Sequence, residues 1–192
     1  HCLLLDTRFE KVSAARLEGL QAVRANILSE YAEEEIDFAG LGHLVAATPN
    51  NEVNSLAARE FQHRFGKANV WQITPSDVDF HHQKAVANHM RGRFCFLGGP
   101  RFSDLSSFVE KGAEMKSTLL TDVFTMEDFK TAHGDNAIIL FTETEDGKLS
   151  PVLSEDEEIE GSITIHSLVI EQDDPETKAL KKKEVSEGKS ES

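Results

Sequence analysis

Asp6 closes the apolar run Cys2-Leu3-Leu4-Leu5, so its carboxylate stands at the carboxyl end of a strand candidate, where it can accept hydrogen bonds from paired hydroxyls such as those of a ribose. The same side chain can instead cap a helix that begins after Thr7. Thr48-Pro49-Asn50-Asn51 interrupts a second apolar run, Val45-Ala46-Ala47, and stands just before a helical pattern. Side-chain oxygens and amides there sit beside the free backbone N–H groups of a helix start, a combination that receives anions and sugar hydroxyls. Asn26 ends a third short strand candidate in the same way.

Other reactive residue types lack companions. His81, His82 and His89 put imidazoles on neighbouring turns of a helix candidate, but no carboxylate or cysteine completes a ligand set; they read as solvated linker residues, and no metal site is expected. Cys95, between Phe94 and Phe96, reads as a core thiol rather than a nucleophile. Cys2 and Cys95 form no CxxC, and both read as buried free thiols of a reducing compartment. Ser154 to Glu158 lacks the glycine and spacing of a calcium loop and reads as an exposed acidic turn. Lys181-Lys182-Lys183, set among Glu and Ser, reads as a solvated stretch.

The elements that must position Asp6 and the Thr48 turn follow from hydrophobic periodicity. Phe9, Val12 and Ala15 mark a helix ending near Gly19, and Gln21 to Ala25 is a strand. Ser29 is a cap for a short helix from Glu30 to Ile36, whose early glutamates complement its positive end. Gly40 and Gly42 return the chain to the strand at Val45. Val53, Leu56, Ala57, Phe61 and Phe65 then recur at helical spacing, with Asn50 or Asn51 as cap and Gly66 as the stop before the strand Val70 to Ile73. Strands alternating with helices make a parallel α/β sheet. In such sheets ligands lie at the carboxyl ends of the strands.

After Thr74-Pro75-Ser76 the pattern changes. Asp77 to Met90 reads as a helical linker. Arg93 to Leu97 is a strand, Gly98-Gly99-Pro100 a turn, and Ser103 the cap of a helix carrying Leu105, Phe108 and Val109 to Gly112. Met115 to Leu120 is a strand, and Thr125-Met126-Glu127-Asp128 has capping-box spacing for a helix closed by Gly134. Ala137 to Thr142, Leu149 to Leu153 and Ile163 to Ile170 are strands, the first two joined around Asp146-Gly147. The expected organisation is therefore a nucleotide-type domain at residues 1–75, a linker at 76–92, a small β-rich α+β domain at 93–172 and a disordered charged tail at 173–192.

Composition narrows the function. A formal charge of -14 argues against nucleic acid as a general partner, because phosphate neutralisation needs clustered Lys and Arg. No stretch approaches the ~18 apolar residues of a membrane span, and the sequence read from His1 predicts no signal peptide. The start at His1, running directly into a strand that ends in Asp6, predicts that the sequence begins inside a domain. In a dinucleotide-type fold the Asp-terminated strand is the second, ~20 residues beyond a Gly-rich turn, so the first strand and that turn would precede His1.

The runs LLLDTRFEKVSAARLEGL and ANILSEYAEEEIDFAGLGHLVAATPNNEVNSLAA resemble the TrkA-N, or regulator of potassium conductance (RCK), domain. ANILSEYAEE followed by TPNNEVN is most similar to the version at the cytosolic end of bacterial sodium/proton antiporters. The resemblance covers about His1 to Ile73, and EDFKTAHGDNAIILF is similar to the small domain that follows in that family. The family's GxGxxG does not occur in this sequence. The resemblance implies a Rossmann-like sheet that lacks its first strand and Gly-rich turn. It also implies a nucleotide-sensing, non-enzymatic role in monovalent cation transport on the cytoplasmic side of the bacterial inner membrane. The implied cofactor is NAD or another adenine nucleotide, and the implied partners are a preceding membrane transporter domain and a second copy of the chain in a homodimer. Asp6 would hold ribose hydroxyls, Asn26 would lie beside the adenine, and Thr48, Asn50 and Asn51 would line the nucleotide edge. The alternatives are a fragment of an NAD-dependent oxidoreductase, which the absence of a Tyr-x-x-x-Lys pairing at the lone Tyr31 disfavours, and an association module without catalysis.

Overall fold

The computed structural model describes residues 1–75, 92–96, 98–151 and 162–171. The expected linker helix with its three histidines, the acidic turn at 154–158 and the tail with its lysines lie outside them, in whole or nearly so. The chain divides into two compact units, His1–Ser103 and Asp104–Ser192.

In the first unit, β1 (Leu3–Asp6) pairs in parallel with β2 (Gln21–Arg24), from Leu3 opposite Gln21 to Asp6 opposite Arg24. A parallel pair needs a crossover, supplied by α1 (Phe9–Leu17). Val12 and Ala15 of that helix bury against Ala22, with Leu4 packed beside them, whereas Phe9, expected inward, is 62% exposed. Ser29 caps α2 (Glu30–Glu34) by accepting from the Ala32 amide at 3.2 Å. Then β3 (Leu44–Ala46), α3 (Asn51–Glu60), α4 (Gln62–Phe65) and β4 (Val70–Gln72) follow, β3 and β4 again in parallel. Gly66, at φ 80°, ends α4 in a conformation that a side chain would strain.

The inward side of α3 is carried by Asn54, Ala57 and Ala58, with Phe61 at its end, so Leu56 is left 41% exposed. Asn54 is buried because its amide binds the turn before the helix, and that contact sets which side of the helix faces in. Phe38, Phe61 and Phe65 form an aromatic cluster with Ala32, Ile36, Ala58 and Val70, and Leu3, Leu5, Val23 and Leu44 pack against it. Phe38 meets Phe61 edge-on at 5.4 Å between centroids, and Phe61 stacks on Phe65 at 6.0 Å. Such pairs add about 0.5–1.5 kcal/mol beyond the area they bury.

The strand expected to open the second domain belongs to the first unit. β5 (Arg93–Phe94) pairs in parallel with β4, and the buried Gln72 side chain accepts from the Gly92 amide at 3.1 Å. A Cβ on Gly92 would lie 2.8 Å from the Cβ of Ala58, so only glycine lets the chain pass between α3 and β4. The boundary between units accordingly falls after Ser103. Cys95 is buried as expected, but Cys2, at the open start of β1, is exposed.

Among the described residues the five parallel strands do not form one sheet. They make a two-stranded sheet, β1-β2, and a three-stranded sheet, β3-β4-β5. The mixed α/β character with parallel strands is therefore observed, as two half-sheets rather than one.

The second unit is antiparallel and continuous, in the order β6-β9-β7-β8, with β6 (Glu114–Leu120), β7 (Ala137–Glu143), β8 (Leu149–Pro151) and β9 (Ile163–Val169). It follows α5 (Phe102–Glu110), within which Ser103 lies one residue past the start rather than at the cap. The Thr125-to-Asp128 capping box opens α6 (Met126–His133), with both reciprocal bonds formed, and Gly134 closes it. The hairpin between β7 and β8 turns at Gly147, φ 78°. Leu120, Phe129, Ile139, Leu140, Ile165 and Val169 are buried in this unit.

Candidate functional site

Both half-sheets of the first unit border one cavity of about 320 Å³. Leu3, Leu4, Leu5 and Asp6 of β1 and Leu44, Val45 and Ala46 of β3 line it, with Thr48, Pro49, Val53 and Asn54 beyond the carboxyl end of β3. The walls are apolar and the polar groups gather at the strand ends, the distribution typical of a small-molecule site.

Asp6 is brought to this cavity, but its carboxylate is already engaged. Its Oδ1 accepts from the Arg8 amide at 2.8 Å and from Arg8 Nε at 3.1 Å, and its Oδ2 from the guanidinium at 2.8 Å. These hydrogen bonds hold its carboxyl below the usual carboxylate range, and Arg8 is held above its ordinary value by the same contact. Asp6 thus serves the backbone ahead of α1 without capping it: Arg8 is the N-cap residue, and no side chain caps that end. Arg8 also lines the cavity. Sequence reasoning missed it, although an arginine two residues after a strand-end carboxylate was a readable signal. Together they offer an anion for hydroxyls and a cation for a phosphate, side by side.

Thr48 lines the cavity and is fixed by α3. Its amide and its hydroxyl both donate to Asn54 Oδ1, at 2.9 and 2.7 Å, and Asn54 Nδ2 donates back to the Thr48 carbonyl at 2.8 Å. Asn54 is 1% exposed and was not singled out from sequence; the signal was an amide at helical position four after the cap, spaced to reach back to the turn. Asn50 caps α3, accepting from the Glu52 and Val53 amides at 2.9 and 3.1 Å. Neither Asn50 nor Asn51 lines the cavity. Asn26 is outside it as well, exposed, its side chain closing a turn by accepting from the Leu28 amide at 3.0 Å. Of the residues expected at a nucleotide edge, then, Asp6 and Thr48 meet at one cavity, while Asn50 and Asn26 serve the local backbone.

Cys95 has no nucleophilic character, since burial pushes its thiol up to about 12. Among the described residues no cluster of three His, Cys, Asp or Glu could hold a metal ion, and no helix is long and apolar enough to cross a membrane.

The second unit holds a polar row that sequence reasoning passed over. Ser117 Oγ lies 2.8 Å from His166 Nδ1, and His166 Nε2 lies 2.9 Å from Glu143 Oε2. The order of groups is that of a nucleophile, a base and an orienting carboxylate. Strand register accounts for it more simply: Ser117 is directly opposite His166, and Glu143 is opposite Thr164, two residues from His166 on the same face. We assign the row to cross-strand pairing on the sheet face. Against known proteins, no family model and no curated sequence matches the chain.

Proposed function

We propose that the first unit is a nucleotide-sensing element of the TrkA-N type, part of the cytosolic regulatory region of a bacterial cation/proton antiporter. The observation that carries this reading is that Asp6 and Thr48, at the carboxyl ends of the parallel strands β1 and β3, line the same apolar cavity as those strands. Parallel strands collect their crossovers, and so their helix starts, at the carboxyl edge, where a ribose and a phosphate can be held together. The quoted runs from Leu3 to Leu20 and from Ala25 to Ala58 support the assignment to sodium or potassium transport through their resemblance to that family. A bound adenine nucleotide, NAD or ATP, would favour one arrangement of paired copies of this region and so bias an attached transporter; the shift can be no larger than the difference in nucleotide affinity between the two arrangements.

Asp6 is the residue that tests the site. The chain as given lacks a Gly-rich phosphate turn and should bind NAD and ATP weakly. Extended upstream by a strand and a GxGxxG turn, it should bind one of them measurably by calorimetry. In that extended chain Asp6→Ala should weaken binding by about 1.5–3 kcal/mol, the loss of a charge-assisted hydrogen bond. Unchanged affinity would remove Asp6 from the site, and tight binding by the chain as given would contradict the need for the turn.

A further inference from the structure

The two edges of the antiparallel sheet in the second unit are unlike. β8 is three residues long and ends in Pro151, and shortness and proline are usual protections of an edge strand. β6 has neither. It is seven residues long, contains no proline or glycine, and pairs with β9 in unbroken register from Glu114 opposite Val169 to Leu120 opposite Ile163. Among the described residues no strand lies on its other side. A long, regular edge of this kind is a template for one more strand.

The side chains of β6 indicate which strand. Met115 and Leu119 are each 56% exposed, and Ser117, also exposed, lies midway between them on the same face. Of the five exposed large apolar residues among the described residues of the second unit, Val109, Met115, Leu119 and Val123 fall between 109 and 123, so apolar surface gathers in β6 and the segments that flank it in sequence. The order apolar, polar, apolar about Ser117 is symmetric, and it fits a second β6 running antiparallel to the first about a two-fold axis. With Ser117 on that axis all seven residues find partners. Met115 then packs on the partner's Leu119 and Leu119 on the partner's Met115, the cross-strand apolar pairing that stabilises sheets. Lys116 falls opposite the partner's Thr118 and Glu114 opposite the partner's Leu120, so no like charges face each other. Moving the axis one residue back would set Lys116 against the partner's Lys116. Moving it one forward would place Met115 opposite the partner's Thr121, beyond the end of the strand. Lys116 is also held by Glu171 at 2.7 Å, which engages the one cation of this edge.

We infer that β6 is a homodimer interface, through which two copies of the chain join their β6 strands antiparallel, with Ser117 on the axis, into one eight-stranded sheet. The pairing supplies about six to eight ladder hydrogen bonds. It closes at two copies, because the joined sheet ends on both sides at β8. The inference stands on the second unit alone and needs no nucleotide, so it holds or falls separately from the function proposed above.

Sedimentation equilibrium in ~0.15 M salt, where repulsion between two chains of formal charge -14 is screened, should show monomers in equilibrium with a discrete dimer. Met115→Glu with Leu119→Glu sets carboxylates opposite one another and should raise the dimer's Kd about tenfold or more, while Met115→Glu with Leu119→Lys, which sets opposite charges across the axis, should bind about tenfold tighter than that. Both positions are exposed, so both variants keep the fold, which circular dichroism checks. Disulfides read the register in a Cys2→Ser background, Cys95 being buried with an unreactive thiol. Oxidation should link Ser117→Cys to its own counterpart. Lys116→Cys and Thr118→Cys should link when mixed and not alone, because like positions then lie beyond the ~7 Å between Cα atoms that a disulfide spans. A chain that stays monomeric up to ~1 mM would overturn the proposal. So would a dimer whose Kd ignores the two glutamates, or Lys116→Cys linking alone as readily as in the mixture.

Discussion

The two units solve the same problem in opposite ways. In the second, β6, β7, β8 and β9 run antiparallel, every strand has a neighbour within one four-stranded sheet, and the open edges are the outer ones, β6 and β8. In the first, the strands are parallel, each pairing depends on a crossover, and among the described residues β1 and β3 each have an edge with no strand beside it, next to an apolar cavity. Antiparallel pairing is bought with a short turn such as the one at Gly147, whereas parallel pairing needs a dozen or more residues between partners. A parallel sheet can therefore leave a gap between halves that are each internally well paired. The place where pairing stops is also where Asp6 and Thr48 line one cavity, the site proposed above for a nucleotide.

The contrast should show in how each unit responds to damage. Phe129, 1% exposed, is the largest side chain among the most deeply buried residues of the second unit, and Phe129→Ala should cost about 3–5 kcal/mol in urea unfolding. A loss below about 1 kcal/mol would mean that the sheet does not depend on that packing. Asn54→Ala in the first unit acts through polarity. It strips the Thr48 amide and carbonyl of their partners and should cost about 1–3 kcal/mol, with faster exchange of the Thr48 amide as the specific sign. An unchanged Thr48 amide would show that the turn holds itself. His166→Ala should matter less, about 0.2–1 kcal/mol, because the Ser117–His166–Glu143 row lies on a sheet face whose backbone ladder remains. A loss well above that range would give the row a role beyond pairing.

The smallest effect concerns pH. Asp6 is held below the ordinary carboxylate range in the folded chain, so the stability its pairing with Arg8 contributes is fully present above the unfolded Asp value and is lost as pH falls through the lowered folded one. Titration of Asp6 by NMR should therefore place its midpoint below that of a free aspartate, and Arg8→Ala should move it back up. A midpoint that ignores Arg8 would break the assignment.

Much of this contrast was legible in the residues, and what was legible was local. Ser29, Asn50 and Thr125 cap the helices expected of them, and Gly66, Gly134 and Gly147 end elements where a side chain could not follow. These signals act over a few residues and depend on no distant partner. Apart from the helix start at Ser103, the errors were tertiary. The strand at Arg93 and Phe94 has no local mark that assigns it to β4; that depends on Gly92 passing Ala58. Leu56 fits an apolar stripe by spacing, but Asn54 is drawn inward by Thr48 and displaces it. Cys2 is apolar in context yet exposed, because burial of β1 requires a neighbour on its open side. At the site, the carboxylate of Asp6 was recognisable from its place at a strand end, while its engagement by Arg8 and the clamp at Asn54 depend on side-chain reach.

Hydrogen exchange on the chain alone tests the central claim, that the parallel unit carries an open seam where the antiparallel unit has none. The account predicts that in Leu3–Leu5 and Leu44–Ala46 the amides turned toward the cavity exchange close to the rate of an unstructured peptide, and that those turned toward β2 and β4 are protected. In β9, flanked by β6 and β7, amides of both directions should be protected. Uniform protection across β1 and β3 in dilute solution would contradict it, because the two half-sheets would then be joined.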